Sequence, residues 1–159
     1  MNRRTFLASA VIGSVAVGIS NTASAAERFF PLKVDQTLFD SINRVKNPEK
    51  KTPLEISHAP LILAPKTVKA GELFTVEISV GEKVHVMGSA HWIEYIELAI
   101  GNEPAGRVAF QANGFMKPRA TFSIALPKDA APNGMVTLVA FERCNLHGLW
   151  ESTLDIAVV

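Results

Sequence analysis

His91-Trp92-Ile93-Glu94-Tyr95-Ile96-Glu97-Leu98-Ala99-Ile100 reads as the clearest long β-strand in the chain, with β-branched and aromatic residues interleaved with carboxylates. Gly101, Pro104 and Gly106 end it and turn the chain into a second extended run, Arg107 to Gln111. Upstream, Leu73-Phe74-Thr75-Val76-Glu77-Ile78-Ser79-Val80 has the same character. Downstream, Ala120 to Leu126 alternates until Pro127, and Met135 to Phe141 and Ser152 to Val158 complete the set. Short strands separated by turn residues, with poor helical periodicity over the same stretch, predict an all-β fold. The expected architecture is an antiparallel β-sandwich of about seven strands.

The sandwich pattern starts near Leu54, so residues 54–159 are expected to form the domain. Residues 26–53 read as an N-terminal extension, in which Gln36 to Val45 could form a short helix and Asn47 to Pro53 a connecting loop. Residues 1–25 have a different composition. Arg3-Arg4-Thr5-Phe6-Leu7 precedes an apolar run to about Ile19, and Ala23-Ser24-Ala25 offers small residues for cleavage. This is the pattern of a signal peptide of twin-arginine type, too short in its apolar part to span a bilayer comfortably. A periplasmic location follows, with no membrane attachment once the signal is cleaved.

The 159-residue chain carries a formal net charge of +1, and removing Arg3 and Arg4 leaves 14 basic residues against 15 acidic ones. Near-neutrality gives no reason to expect nucleic acid or an anionic membrane as a partner. A single cysteine, Cys144, excludes an internal disulfide.

That cysteine lies in Cys144-Asn145-Leu146-His147-Gly148-Leu149-Trp150, behind the strand that starts at Met135. A Cys-x-x-His spacing in a turn can bring a thiolate and an imidazole to one ion. His85 and His91 flank Gly88-Ser89-Ala90; on a continuous strand their side chains would stand about 20 Å apart, but the small residues allow the segment to fold back. The fourth histidine, His58, precedes Ala59-Pro60 and is expected in a loop or edge segment. Each residue alone is compatible with ordinary packing. Together, all four histidines and the lone cysteine fall at loops or strand ends, which points to a metal centre. Structural zinc favours four ligands and several cysteines, and blue copper would use only two of the histidines. Five nitrogen and sulfur donors with one open octahedral position suit a redox iron.

The blocks His58-Ala59-Pro60, His85-Val86-Met87 with His91-Trp92-Ile93, and Cys144-Asn145-Leu146-His147-Gly148-Leu149-Trp150 together resemble the superoxide reductases, the neelaredoxins and the iron-binding domain of desulfoferrodoxins. The resemblance implies an immunoglobulin-like sandwich and one mononuclear iron. His58, His85, His91 and His147 become its equatorial ligands and Cys144 its axial thiolate donor. It implies one-electron reduction of superoxide to hydrogen peroxide at the open axial position, an external electron donor, and homo-oligomers of the kind relatives form. One feature departs from the family pattern. The usual Glu-Lys pair before the first histidine is replaced by Ile56-Ser57, with Glu55 one position early. Lys83, or Lys50-Lys51, could supply the missing positive charge. Without it, an iron-binding or electron-carrying module with weak superoxide chemistry is the competing reading, and a periplasmic adaptor with adventitious metal is a third.

Overall fold

Pro53 to His58 form the first α-helix among the described residues, six residues long and here α1, where the sequence pattern suggests a loop. Its cause is local. The Thr52 side chain accepts from the Glu55 N–H at 3.2 Å while the Glu55 carboxylate accepts from the Thr52 N–H at 2.7 Å, and Pro53 occupies the first turn. His58 closes this helix, and Pro60 opens the first strand immediately after it.

The computed structural model describes residues 36–159, so the expected signal segment and residues 26–35 lie outside the described residues. Eight strands follow α1: β1 (Pro60–Leu63), β2 (Thr67–Val68), β3 (Leu73–Val80), β4 (Ile93–Ile100), β5 (Glu103–Ala109), β6 (Arg119–Ala125), β7 (Met135–Cys144) and β8 (Gly148–Val158). They form two sheets, β1-β3-β6 and β2-β8-β7-β4-β5. Every pairing is antiparallel except β2 with β8. The sandwich is therefore as expected, with β1 and β2 added and β4 starting at Ile93 rather than His91. Pro104 and Gly106 lie inside β5 instead of preceding it; β5 is an edge strand whose register slips opposite Leu98/Ala99, where a missing N–H is tolerated.

Alternate residues of each sheet fill the space between them. Val76, Ile78 and Val80 of β3 meet Ile96 and Leu98 of β4, Leu138 and Ala140 of β7, and Ile156 of β8 in one buried cluster. The five-stranded sheet carries the longest ladder, with Cys144 opposite Gly148 at its end. That end positions the site.

The extension does not fold as expected. Only Gln36–Phe39 make a 3-10 turn, and the following residues run extended against β8. Asn43 exchanges backbone hydrogen bonds with Leu149 (2.8 Å) and Glu151 (2.9 Å), which a helix to Val45 would preclude. Gly148 permits this approach. Its φ is +72°, and a Cβ there would lie 2.0 Å from the Leu38 carbonyl oxygen. Gly148→Ala should therefore cost at least about 1–3 kcal/mol for the left-handed backbone alone, read as a lowered urea midpoint; a midpoint equal to that of the unaltered protein would contradict this packing.

Candidate metal centre

Four separate pieces of backbone deliver the five sequence-predicted residues to one point. His58 arrives on the last turn of α1. His85 and His91 come from the loop between β3 and β4, closed by a Gly88 N–H to His91 carbonyl bond of 2.8 Å, so the predicted fold-back is present. Cys144 ends β7, and His147 sits in the turn before β8.

The donor atoms nearly touch. His85 Nε2 is 3.1 Å from His58 Nε2 and 3.0 Å from His91 Nε2, and His147 Nδ1 is 2.8 Å from His58 Nε2. Cys144 Sγ stands 3.1 Å from His91 Nε2, 3.4 Å from His147 Nδ1 and 4.0 Å from His85 Nε2. Neighbouring rings cross at 71–84°, in the cyclic order His58, His85, His91, His147, while His58 and His91 lie across the circle at 27°. Metal–nitrogen bonds of about 2.1 Å at right angles would separate adjacent nitrogens by about 3.0 Å, and a metal–sulfur bond of about 2.3 Å would set sulfur about 3.1 Å from nitrogen. The spacing fits a square of imidazoles with the thiol on one side.

Tautomers sharpen the fit. His58 Nδ1 donates to the Leu54 carbonyl at 2.9 Å, and His85 Nδ1 to the Val86 carbonyl at 2.6 Å. A neutral ring with its proton on Nδ1 presents a bare lone pair at Nε2. The two Nε2 lone pairs thus face one another at 3.1 Å, an arrangement that only a shared cation makes favourable. Protonation is opposed. Burial, reinforced by the neighbouring imidazoles, pulls His58 down to about 3 and His91 down to about 4, and burial lowers His85 as well.

Cys144 is fully buried. Burial pushes its thiol up to about 12, opposed by hydrogen bonds from the Leu146 and His147 backbone and assisted by Glu142 and Glu94. Such a thiol ionises only beside a cation. Glu142, two residues away and wholly enclosed, has no partner for either carboxylate oxygen, and burial holds it well above the usual carboxylate range.

A second layer holds the donors, and sequence reasoning assigned it no role. Asn145 Oδ1 accepts from the Trp92 N–H at 2.9 Å and its Nδ2 donates to the Ala90 carbonyl at 2.9 Å, fastening the His91 loop to the Cys144 turn. Trp150 stacks on His58 (5.4 Å, 24°) and donates its indole N–H to the His147 carbonyl at 2.9 Å. Asn43 Nδ2 donates to the carbonyls of Leu38 and Leu149, at 2.9 and 3.0 Å, with the His147 carbonyl at 3.4 Å. Asn145 and Trp150 were already present in the Cys-Asn-x-His-Gly-x-Trp block; Asn43 carried no local signal. Lys83 is exposed in the turn ahead of His85 and makes no hydrogen bond or ion pair with the cluster. Lys51 is engaged with Glu82, and Glu55 is committed to the helix cap, where the Thr52 and Lys46 N–H groups hold its carboxyl below the usual range.

Residues 46–153 match the sequence profile described as Desulfoferrodoxin, beginning ahead of Leu54. The chain belongs to the desulfoferrodoxin family. Its cofactor is one mononuclear iron, which the imidazole and thiol donor set suits. A superoxide reductase of Pyrococcus abyssi is 34% identical over 108 residues, covering 62% of this chain and 86% of that protein. The desulfoferrodoxin of Nitratidesulfovibrio vulgaris is 36% identical over 80 residues, 48% of this chain and 51% of that one. Among solved structures, the superoxide reductase (neelaredoxin) from Ignicoccus hospitalis superposes with a TM-score of 0.63 at 36% identity, covering 80% of this chain and 100% of that one.

The depressed imidazoles make stability pH-dependent. Free histidine titrates near about 6.5, whereas folded His58 and His91 do so near 3 and 4, so between these values the unfolded chain binds more protons. Iron-free protein should keep its full urea midpoint above about pH 6.5 and lose it progressively toward pH 4. A flat profile across that window would mean that the rings are not held neutral by burial.

Proposed function

We propose that this desulfoferrodoxin-family oxidoreductase is a superoxide reductase, reducing superoxide to hydrogen peroxide with one electron and two protons. His58, His85, His91, His147 and Cys144 are the residues that would hold its iron. The observation that carries this reading is the ring of four imidazoles, with nitrogens 2.8–3.1 Å apart along the His147–His58, His58–His85 and His85–His91 edges, and a buried sulfur beside them. An iron held there would supply the single electron.

The chain's own residues do the rest. Leu54 and Val86 carbonyls fix the tautomers of His58 and His85, so their lone pairs are directed before any metal arrives. Cys144, which accepts hydrogen bonds from the Leu146 and His147 backbone, would bind the metal as a thiolate, and its charge would favour release of an anionic product. Burial of the thiol and two of the rings excludes water from the sulfur side, leaving the other face for the substrate. Cys144→Ser should abolish the sulfur-to-iron charge-transfer band of the oxidised, iron-loaded protein, and a band that survives would remove Cys144 from the ligand set.

Anion steering is the weak element. Ser57 stands where the family pattern has lysine; its hydroxyl lies 3.0 and 3.1 Å from the Pro53 and Leu54 carbonyls and 2.9 Å from His58 Nδ1. Lys83, exposed and two residues before His85, is the cation we assign to attract superoxide. Ser57→Lys should raise the rate constant of ferrous protein with superoxide severalfold at low ionic strength, and raise its salt dependence. An unchanged rate in stopped-flow would show that a cation at this position is irrelevant. Should the unaltered protein react no faster than free aqueous ferrous ion, the second reading holds instead, an iron-based electron carrier, favoured by Ile56-Ser57.

Export belongs to the same reading. Arg3-Arg4-Thr5-Phe6-Leu7 supports delivery to the periplasm by the twin-arginine route, with the folded domain already carrying metal. Replacing both arginines by lysine should retain the protein in the cytoplasm, and undiminished periplasmic recovery would overturn this route.

A further inference from the structure

Apolar side chains are mostly inside the sandwich, yet beside the metal centre several stand in solvent. Val84 and Val86 are exposed on either side of buried His85, Met116 is exposed, and Phe115 is fully exposed. The segment bearing Phe115 and Met116 is fastened to the histidine loop by the Asn113 N–H to Gly88 carbonyl bond (3.2 Å), and to β3 by the Val80 N–H to Pro118 carbonyl bond (3.0 Å). Between the two segments runs a groove of about 560 Å³ lined by Val84, His85, Val86, Met87, Lys117 and Arg119 among others.

The groove's floor leads to the donor square. His85 Nε2 is one of the four converging nitrogens, and its Nδ1 is bonded to the Val86 carbonyl at 2.6 Å. One hydrogen bond and one imidazole ring therefore separate exposed Val86 from the centre. The groove's lining includes Lys117 and Arg119 and no carboxylate; Lys117 enters no ion pair among the described residues, and Arg119 has only a 3.5 Å contact with half-buried Glu77.

We propose that this groove docks a small acidic electron-transfer protein, and that its electron enters through the Val86 carbonyl and the His85 ring. The inference rests on the redox function proposed above. In the step, one electron leaves the reduced donor, ferric iron becomes ferrous, and no covalent bond forms or breaks. A superoxide-sized ligand has no use for an exposed phenylalanine and methionine, whereas aromatic and methionine side chains mark the centres of protein interfaces and charges their rims. The basic rim selects an acidic face and speeds its encounter. A second copy of this chain fits less well, because a two-fold contact on this face would oppose Lys117 and Arg119 to their own equivalents.

The probe is plant-type [2Fe–2S] ferredoxin, an acidic one-electron protein, tested on the iron-loaded full domain. Binding of oxidised ferredoxin is measured by calorimetry, and its reduced form is mixed with ferric protein in stopped-flow. Lys117→Glu should slow that reduction about tenfold at low ionic strength, and Phe115→Ser should weaken binding severalfold. Both variants should leave reduction by dithionite unchanged, together with the reaction of ferrous protein with superoxide. Equal binding and equal ferredoxin rates across the variants would overturn the docking site. So would conversion of a dimer to monomers by either variant in sedimentation, which would make the face a contact between copies. Failure of the ferrous protein to react with superoxide, with the ferredoxin effects intact, would remove the proposed function and leave the docking site standing.

Discussion

Two imidazole nitrogens, on His58 and His85, point their lone pairs at each other across 3.1 Å. Both are committed to this by protons held on the far side of the ring, one by the Leu54 carbonyl and one by the Val86 carbonyl. In water such a conflict would be relieved by taking up a proton. Here burial disfavours the charged ring, so the relief that remains is a cation shared among several donors. The packing around the site serves to maintain that conflict. Trp150 covers His58, the capped helix fixes its backbone, and Gly88 closes the loop that returns His91 to the same point.

The sulfur side embodies a second opposition. Enclosure, and the two carboxyl groups of Glu142 and Glu94, raise the cost of a thiolate on Cys144, while two backbone N–H groups reduce it. Glu142 itself is enclosed without a hydrogen-bond partner, a position that a carboxyl group tolerates only as the neutral acid. The electron density of a thiolate formed there would be set by a small number of identifiable dipoles in a dry environment, where each counts for more than it would at the surface.

Much of this was legible in the sequence because the relevant signals are local. The alternation over Leu73–Val80 specified a strand with those ends, and the Cys-Asn-x-His-Gly-x-Trp block announced a turn that ends one strand and starts another. Gly88-Ser89-Ala90 signalled the fold-back between two histidines. The helix at His58 was misread as a loop although Thr52, Pro53 and Glu55 spell a capping box, because six residues are too few to establish a 3.6-residue period. Residues 36–45 were misread in the opposite direction. Their local pattern permits a helix, but Asn43 finds better hydrogen-bond partners in Leu149 and Glu151, residues more than a hundred positions away, and no window of sequence contains both. The tautomer-fixing carbonyls were invisible for a simpler reason: every residue has one.

A chain with one cysteine cannot staple itself with a disulfide. The convergence of His58 and His147, separated by 89 positions, offers a replacement. Once their nitrogens share an ion, the chain between them becomes a closed ring in the folded state and in any unfolded state that keeps the ion. A bound ion would then serve as a clasp on the fold, and losing it would loosen the protein as cutting a cross-link does.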